Sequence, residues 1–167
     1  MAGMVSRAFA HLRTGTSVVH RRFDREAMVR IRDAIAAAEH GHAGEIRFAV
    51  EAAMPMRMLW HRKDARARAV EVFAQLRVWD TEANTGVLLY LLWADRAIEV
   101  IADRGIAALV PAAEWESICA HVRDGLLDGK PADAVIAGIT RIGELLRAAL
   151  PAQESTPDEL PDDPVLL

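Results

Sequence analysis

The chain has 167 residues, 52% hydrophobic and 26% charged, an ordinary balance for one soluble domain with a sizeable core. No apolar run reaches ~18 residues, which excludes a transmembrane helix, and the single cysteine, Cys119, excludes an internal disulfide. The formal charge of −4 conceals a division: residues 151–167 carry Glu154, Asp158, Glu159, Asp162 and Asp163 with no basic residue, and the other 150 residues come to +1.

Residues 1–22 show weak periodicity, suited to a partly ordered segment or a short amphipathic helix. Six arginines (Arg7, Arg13, Arg21, Arg22, Arg25, Arg30) stand in residues 1–30 against Asp24 and Glu26, and the expectation is a solvated basic tail. Arg13, His20, Arg21 and Arg22 interrupt any apolar core of a secretory signal, so a cytoplasmic location is expected, with peripheral contact at the inner membrane as the variant. A helix starts at Asp24, a capping residue, with Phe23 and Met28 spaced for a hydrophobic staple; Met28, Ile31, Ile35 and Ala38 recur at helical spacing up to Gly41. Glu45 to Val50 alternates as a strand, with Ile46, Phe48 and Val50 on one side.

Ala52 to His61 is a connector broken by Pro55. Its Met54, Met56, Met58 and Trp60 make a soft apolar patch, read as packing on the sheet, with a partner-binding surface as the alternative. A second helix runs from Asp64 to about Val78, burying Ala65, Ala69, Val72, Phe73 and Leu76. Arg62, Lys63, Arg66, Arg68 and Arg77 fall on or near its outer face as a solvated charge run, without the aromatic interleaving of a nucleic-acid surface.

Val87 to Trp93 is apolar throughout except for the Tyr90 hydroxyl, as in a strand buried on both faces. Ala94-Asp95-Arg96 turns it back into Ala97 to Ala102, a hairpin partner nearer an edge. Pro111 suits the first turn of a third helix with Trp115, Ile118, Cys119, Val122 and Leu126 inward, and Cys119 reads as a small core residue. The last helix runs from about Ala132 to Leu150, with Val135, Ile139, Ile142 and Leu146 inward. The acidic, proline-rich residues 151–167 are expected to be disordered. A helix between the first two strands makes them parallel with a right-handed crossover. The fold class is therefore α/β, with α+β character: a three-layer α-β-α sandwich around a small mixed sheet, residues 23–150 forming the domain.

This topology brings the start of both parallel strands and the end of the antiparallel one to the same end of the sheet. Glu39, His40, His42, Glu45, Asp80, Thr81, Glu82, Asn84, Asp103 and Arg104 gather there. Such oxygen donors suit Ca2+ or Mg2+, and His40 or His42 suits Zn2+; as polar loop and helix-end residues they need no ligand. Ligands of open α/β sheets usually lie at the opposite end, beyond the carboxyl ends of the parallel strands. There is no phosphate-cradling glycine loop, Gly-x-Ser-x-Gly elbow or His-Glu-x-x-His.

Glu39, Gly44-Glu45-Ile46-Arg47-Phe48, Ala69 to Phe73, Asn84-Thr85-Gly86-Val87-Leu88-Leu89, Asp95-Arg96 and Asp103-Arg104-Gly105-Ile106 together resemble the TPM domain family over about residues 23–150, closest to a short bacterial branch. The resemblance implies a mixed sheet between helices. Some members of the family are described as acid phosphatases and some bind a divalent cation, commonly calcium. Carried onto this chain, the metal positions are Asp80, Glu82, Asn84 and Asp103, with Glu39 in support, for Ca2+ first and Mg2+ or Zn2+ as alternatives; no organic cofactor is implied. Genes for bacterial members often neighbour those of LemA-type membrane proteins, so the resemblance implies a membrane-associated partner. Thr85 replaces a common second asparagine, and Gly105 stands alone where a Gly-x-Gly is frequent.

Two functions follow. One is a binding or accessory module for a membrane-associated assembly. The other is a metal-assisted phosphatase acting on phosphomonoesters, with Asp80, Glu82 and Asp103 as ligands. No nucleophile or general base stands out for the second, and shared fold alone does not transfer chemistry.

Overall fold

In the structure, a computed structural model that describes residues 2–61, 63–150 and 159–167 (side chains from Arg7 onward), the apolar run after Asn84-Thr85 is the central strand of the sheet. This strand, β2 (Gly86–Leu92), is buried along its whole length. It is flanked by β1 (Glu45–Glu51) in parallel and β3 (Ala97–Ala102) antiparallel, and β4 (Val165–Leu166) adds to the outer edge of β1, giving the order β3-β2-β1-β4. Burial on both faces explains the unbroken apolar run: each leucine there has a core on its side of the sheet and stabilises the fold by about 1.5–3 kcal/mol.

One face carries α3 (Arg25–Glu39), α7 (Ala112–Leu127) and α8 (Pro131–Ala149), packed on Phe48, Val87, Leu89 and Leu91. The other carries the short α4 (Met56–Trp60) and α5 (Ala65–Gln75), packed on Ala49, Leu88, Tyr90 and Leu92. The expected α/β fold with a mixed sheet between helices is therefore the observed one. Asp24 caps α3 as its position suggests, accepting from Ala27 N–H at 2.9 Å. Asp64 does the same for α5 through Ala67 N–H at 2.8 Å. Pro111 sits just ahead of α7 rather than inside its first turn.

Four sequence expectations change. The amino end is not simply a solvated tail: α1 (Ala2–Arg13) and α2 (Thr16–Arg22) lie in it, and Arg7 and His11 are bound to the body of the protein. Arg68 is buried rather than on a solvated helix face, because Glu51 on β1 supplies a carboxylate at 2.8 and 2.9 Å; Arg62 lies outside the described residues. The expected disorder does not hold for residues 159–167, which include β4, while 151–158 lie outside the described residues. Finally, Asp103 caps an extra turn of helix, α6 (Arg104–Ala107), that periodicity is too short to announce.

Candidate functional site

The strand register brings the polar loops together as the topology implies. Glu45 stands opposite Gly86, Val87 opposite Ala102, and Asp103 N–H donates to Gly86 O at 2.9 Å. The loop before β2 folds tightly over this end. A Cβ on Gly86 would lie 1.9 Å from Val78 O, and one on Gly105 2.5 Å from Ala83 O, so both positions need glycine. Asn84 takes a left-handed conformation (φ 55°), which asparagine tolerates, and its carbonyl accepts Gly105 N–H at 3.0 Å.

Among the five metal positions, Asn84 and Asp103 are brought together. Arg104 joins them: its Nε donates to Asn84 Oδ1 at 3.1 Å and its backbone N–H to Asp103 Oδ1 at 2.7 Å. Asp103 Oδ2 is buried and meets no hydrogen-bond partner among the described residues. Asp80 and Glu82 are exposed in the same loop, and Glu82 N–H donates to the Glu159 carboxylate at 2.9 Å. Glu39 is turned to the β4 side of β1, where its Oε1 accepts Ile46 N–H at 2.7 Å. Burial, with Glu45 and Asp162 adding to it against that hydrogen bond, pushes its carboxyl up to about 9. His42 is buried with both ring nitrogens engaged: Gly44 N–H donates to Nδ1 at 3.1 Å, so Nε2 carries the hydrogen donated to Ala38 O at 2.8 Å. Burial lowers its pKa, and a neutral ring bonded on both sides has no lone pair left for Zn2+.

The opposite end of the sheet is more built than the sequence suggests. Glu51 accepts from Arg68 on one side and from the Tyr90 hydroxyl, at 2.5 Å, on the other, all three buried. Burial and then the Glu51 contact raise the Tyr90 pKa, so the hydroxyl keeps its proton and donates. Asp95, in the β2–β3 turn, holds the amino end. Arg7 Nη2 and Nε reach its carboxylate at 2.7 and 3.0 Å, and His11 Nε2 at 2.9 Å. His11 Nδ1 accepts Met54 N–H at 2.9 Å, and Arg7 Nη1 donates to Lys63 O at 2.9 Å. Burial raises the Asp95 pKa, but these hydrogen bonds outweigh it and hold the carboxyl below its usual range. The carboxyl ends of β1 and β2 are thus covered by α1 and α4, which pack on each other. Their inner sides bury His11, Met58 and Leu59; their outer sides leave Phe9 57%, Leu12 68% and Trp60 79% exposed. In the methionine-rich connector Met54 and Met58 pack on the sheet as expected, and Trp60 faces out.

The family model for the TPM domain matches residues 21–145. The chain belongs to the TPM domain family. Its fold is similar to the NMR structure of BA42 protein from the psychrophilic bacterium Bizionia argentinensis, at a TM-score of 0.75 and 27% identity, covering 85% of this chain and 93% of that one. No curated protein matches. For this TPM domain the cation test is mixed. An amide and a carboxylate meet at Asn84 and Asp103, a donor pair suited to a hard cation. Yet Arg104 already bonds to that pair, Glu39 is committed at the far edge of β1, and among the described residues no three Asp, Glu, His or Cys side chains converge as a metal would need. Of the five family-derived positions, Asn84 and Asp103 are the two joined, through Arg104.

Sequence reading missed Arg47, Glu51–Arg68–Tyr90 and Arg7–Asp95–His11. Arg47 and Glu51 keep the β1 alternation and so read as a solvated face; the strand is buried on both faces, which is why each needs a partner the sequence does not announce.

Proposed function

We propose that this TPM domain is a binding or accessory module that docks on a membrane-associated protein assembly through the outer faces of α1 and α4. The observation that carries the reading is the exposure of Phe9, Leu12 and Trp60 on two packed helices, beside exposed Arg13 and Arg57. Large apolar and aromatic side chains interleaved with arginine are the composition of interface centres, and exposing them has a cost that binding removes. The Arg7–Asp95–His11 cluster fixes α1 on the body, so the face is presented in one geometry. No described helix is long and apolar enough to cross a membrane.

Co-sedimentation with membranes of the native host tests this. The parent protein is expected to pellet with them, protease treatment of the membranes to abolish pelleting, and the Leu12→Ser, Trp60→Ser variant to remain in the supernatant. A parent that stays in the supernatant, or a variant that pellets equally, rejects the reading.

The phosphatase alternative rests on one observation, the buried Asp103 Oδ2 beside Asn84, which has no hydrogen-bond partner among the described residues. Calorimetric titration with Ca2+ and Mg2+, followed by phosphomonoester assays with the ion that binds, decides it. Binding abolished by Asp103→Asn together with turnover supports it; absence of turnover with a bound ion removes it.

A further inference from the structure

The outer edge of β1 holds a feature that neither reading uses. Arg47, in the middle of the strand, is only 6% exposed, and its Nε and Nη1 meet no hydrogen-bond partner among the described residues. Asp162, on the tail that crosses above it, likewise leaves a buried Oδ1 without one. We propose that this edge is a strand-addition site for an extended acidic peptide, occupied in cis by residues 159–167 of the same chain.

The tail shows what the site recognises. The Glu45 carboxylate accepts the backbone N–H groups of Glu159 and Leu160 at 3.3 and 3.2 Å, and Leu160 is buried in the core beside Ala49 and Leu88. Asp162 and Asp163 then pass the Arg47 guanidinium. Burial lowers the Arg47 pKa, and Asp163 and Asp162, followed by Glu39, oppose that. Beyond them Val165 and Leu166 pair in parallel with Ala49 and Val50, and Leu167 bridges Val50 O at 2.9 Å and Ala52 N–H at 3.4 Å. The pattern is an apolar anchor, an acidic pair opposite a buried arginine, and a short extended apolar end. Main-chain pairing supplies affinity in strand addition, and the side-chain pockets supply selection.

The cis segment is a replaceable occupant. Its ladder is two residues long, and the side chains of residues 165–167 are half-buried. Among the described residues it also leaves Arg47 Nε, Arg47 Nη1 and Asp162 Oδ1 buried without a hydrogen bond, a cost that a better-seated carboxylate recovers. Tethering offsets this by holding the tail at an effective concentration on the order of millimolar. A partner must therefore outcompete the tail or meet a chain whose tail is loosened. This inference is independent of docking through α1 and α4.

The test uses full-length protein and a fluorescent synthetic peptide of residues 159–167 with a free carboxyl end. Fluorescence anisotropy is measured for the parent, for Leu160→Ser, Leu166→Ser, and for that double variant with Arg47→Gln. The double variant is expected to bind the peptide at least about tenfold more tightly than the parent, whose own tail competes. Adding Arg47→Gln, or replacing both peptide aspartates by asparagine, is expected to weaken binding by about tenfold or more. A folded double variant that fails to bind at about 1 mM peptide overturns the site, and equal binding of the asparagine peptide overturns its acidic selection. Hydrogen exchange on the parent gives a reading that needs no variant. Excess peptide is expected to speed exchange at the chain's own Leu167 amide while the β1 amides stay protected; an unchanged Leu167 amide at saturating peptide counts against the proposal.

Discussion

Glu39 shows how much one buried proton matters. Its carboxyl, at about 9 in the folded chain, has an ordinary value of 4.5 when exposed. The folded protein thus keeps a proton that the unfolded chain releases. Stability from this group is complete below the unfolded value and is lost as pH rises through the folded one. Glu39→Gln keeps an oxygen for Ile46 N–H and stays neutral, so its melting temperature is expected to fall less than the parent's between about pH 5 and about pH 9; identical pH profiles would reject this assignment. At the other end of β1, Glu51 is the near carboxylate of Arg68, at 2.8 and 2.9 Å, and Glu71 reaches the same guanidinium only at 3.4 Å and from a more exposed position. Glu51→Ala leaves Arg68 buried without its carboxylate and is expected to cost about 3–5 kcal/mol in urea unfolding. Replacing Glu51 and Arg68 together by methionine is expected to recover most of that loss, because the penalty belongs to the unpaired ion rather than to the missing bridge.

At the scale of elements, two close contacts shape the ends of the sheet. The Arg77–Thr85 loop lies against the start of β2 so closely that Gly86→Ala drives a Cβ into the Val78 carbonyl, backbone that cannot rotate away. The expected loss is about 1–3 kcal/mol or more in equilibrium unfolding; a neutral outcome would mean that the loop moves freely. α1 depends on the hairpin turn instead. Asp95→Ala removes the acceptor of both Arg7 and His11. Faster amide exchange and new proteolytic cleavage are expected within α1 and α2, with β2 and β3 unchanged. Because the Asp95 carboxyl is held below its usual range, its contribution is present at neutral pH and lost only as pH falls through that depressed value.

For the whole molecule, stability is graded from the centre of the sheet outward. β2 is paired on both edges and covered on both faces, whereas β4 is two residues long at the rim. Native-state hydrogen exchange is expected to find the slowest amides in β2 and the fastest ordered strand amides at Val165–Leu167, in line with local opening where few buried contacts hold the chain. The same gradient separates the two surfaces considered for binding: the α1–α4 face is fixed by a partly buried ion pair, and the β1 edge is closed by its least stable strand.

Much of this architecture could be read from the chain alone, because it is written in local pattern. The unbroken apolar run of β2, the Asp24 and Asp64 caps, the helical stripes of α3, α7 and α8 and the short Ala94–Arg96 turn each act within a few residues, and a helix between β1 and β2 sets their parallel sense. That logic also placed Glu45, Gly86 and Asp103 at one end of the sheet. The remainder depended on partners distant in sequence. Whether Arg68 faces water is decided by Glu51, whether the basic amino end is free by Asp95, and whether the acidic tail is ordered by Glu45 and the open edge of β1. Glu39 has the composition of a metal ligand, but the Ile46 amide turns it away from Asn84 and Asp103. Composition and periodicity determined the fold, since burial is a property of each residue's own side chain; only the tertiary structure decided which charges are satisfied, since that depends on what the rest of the chain brings within hydrogen-bonding distance.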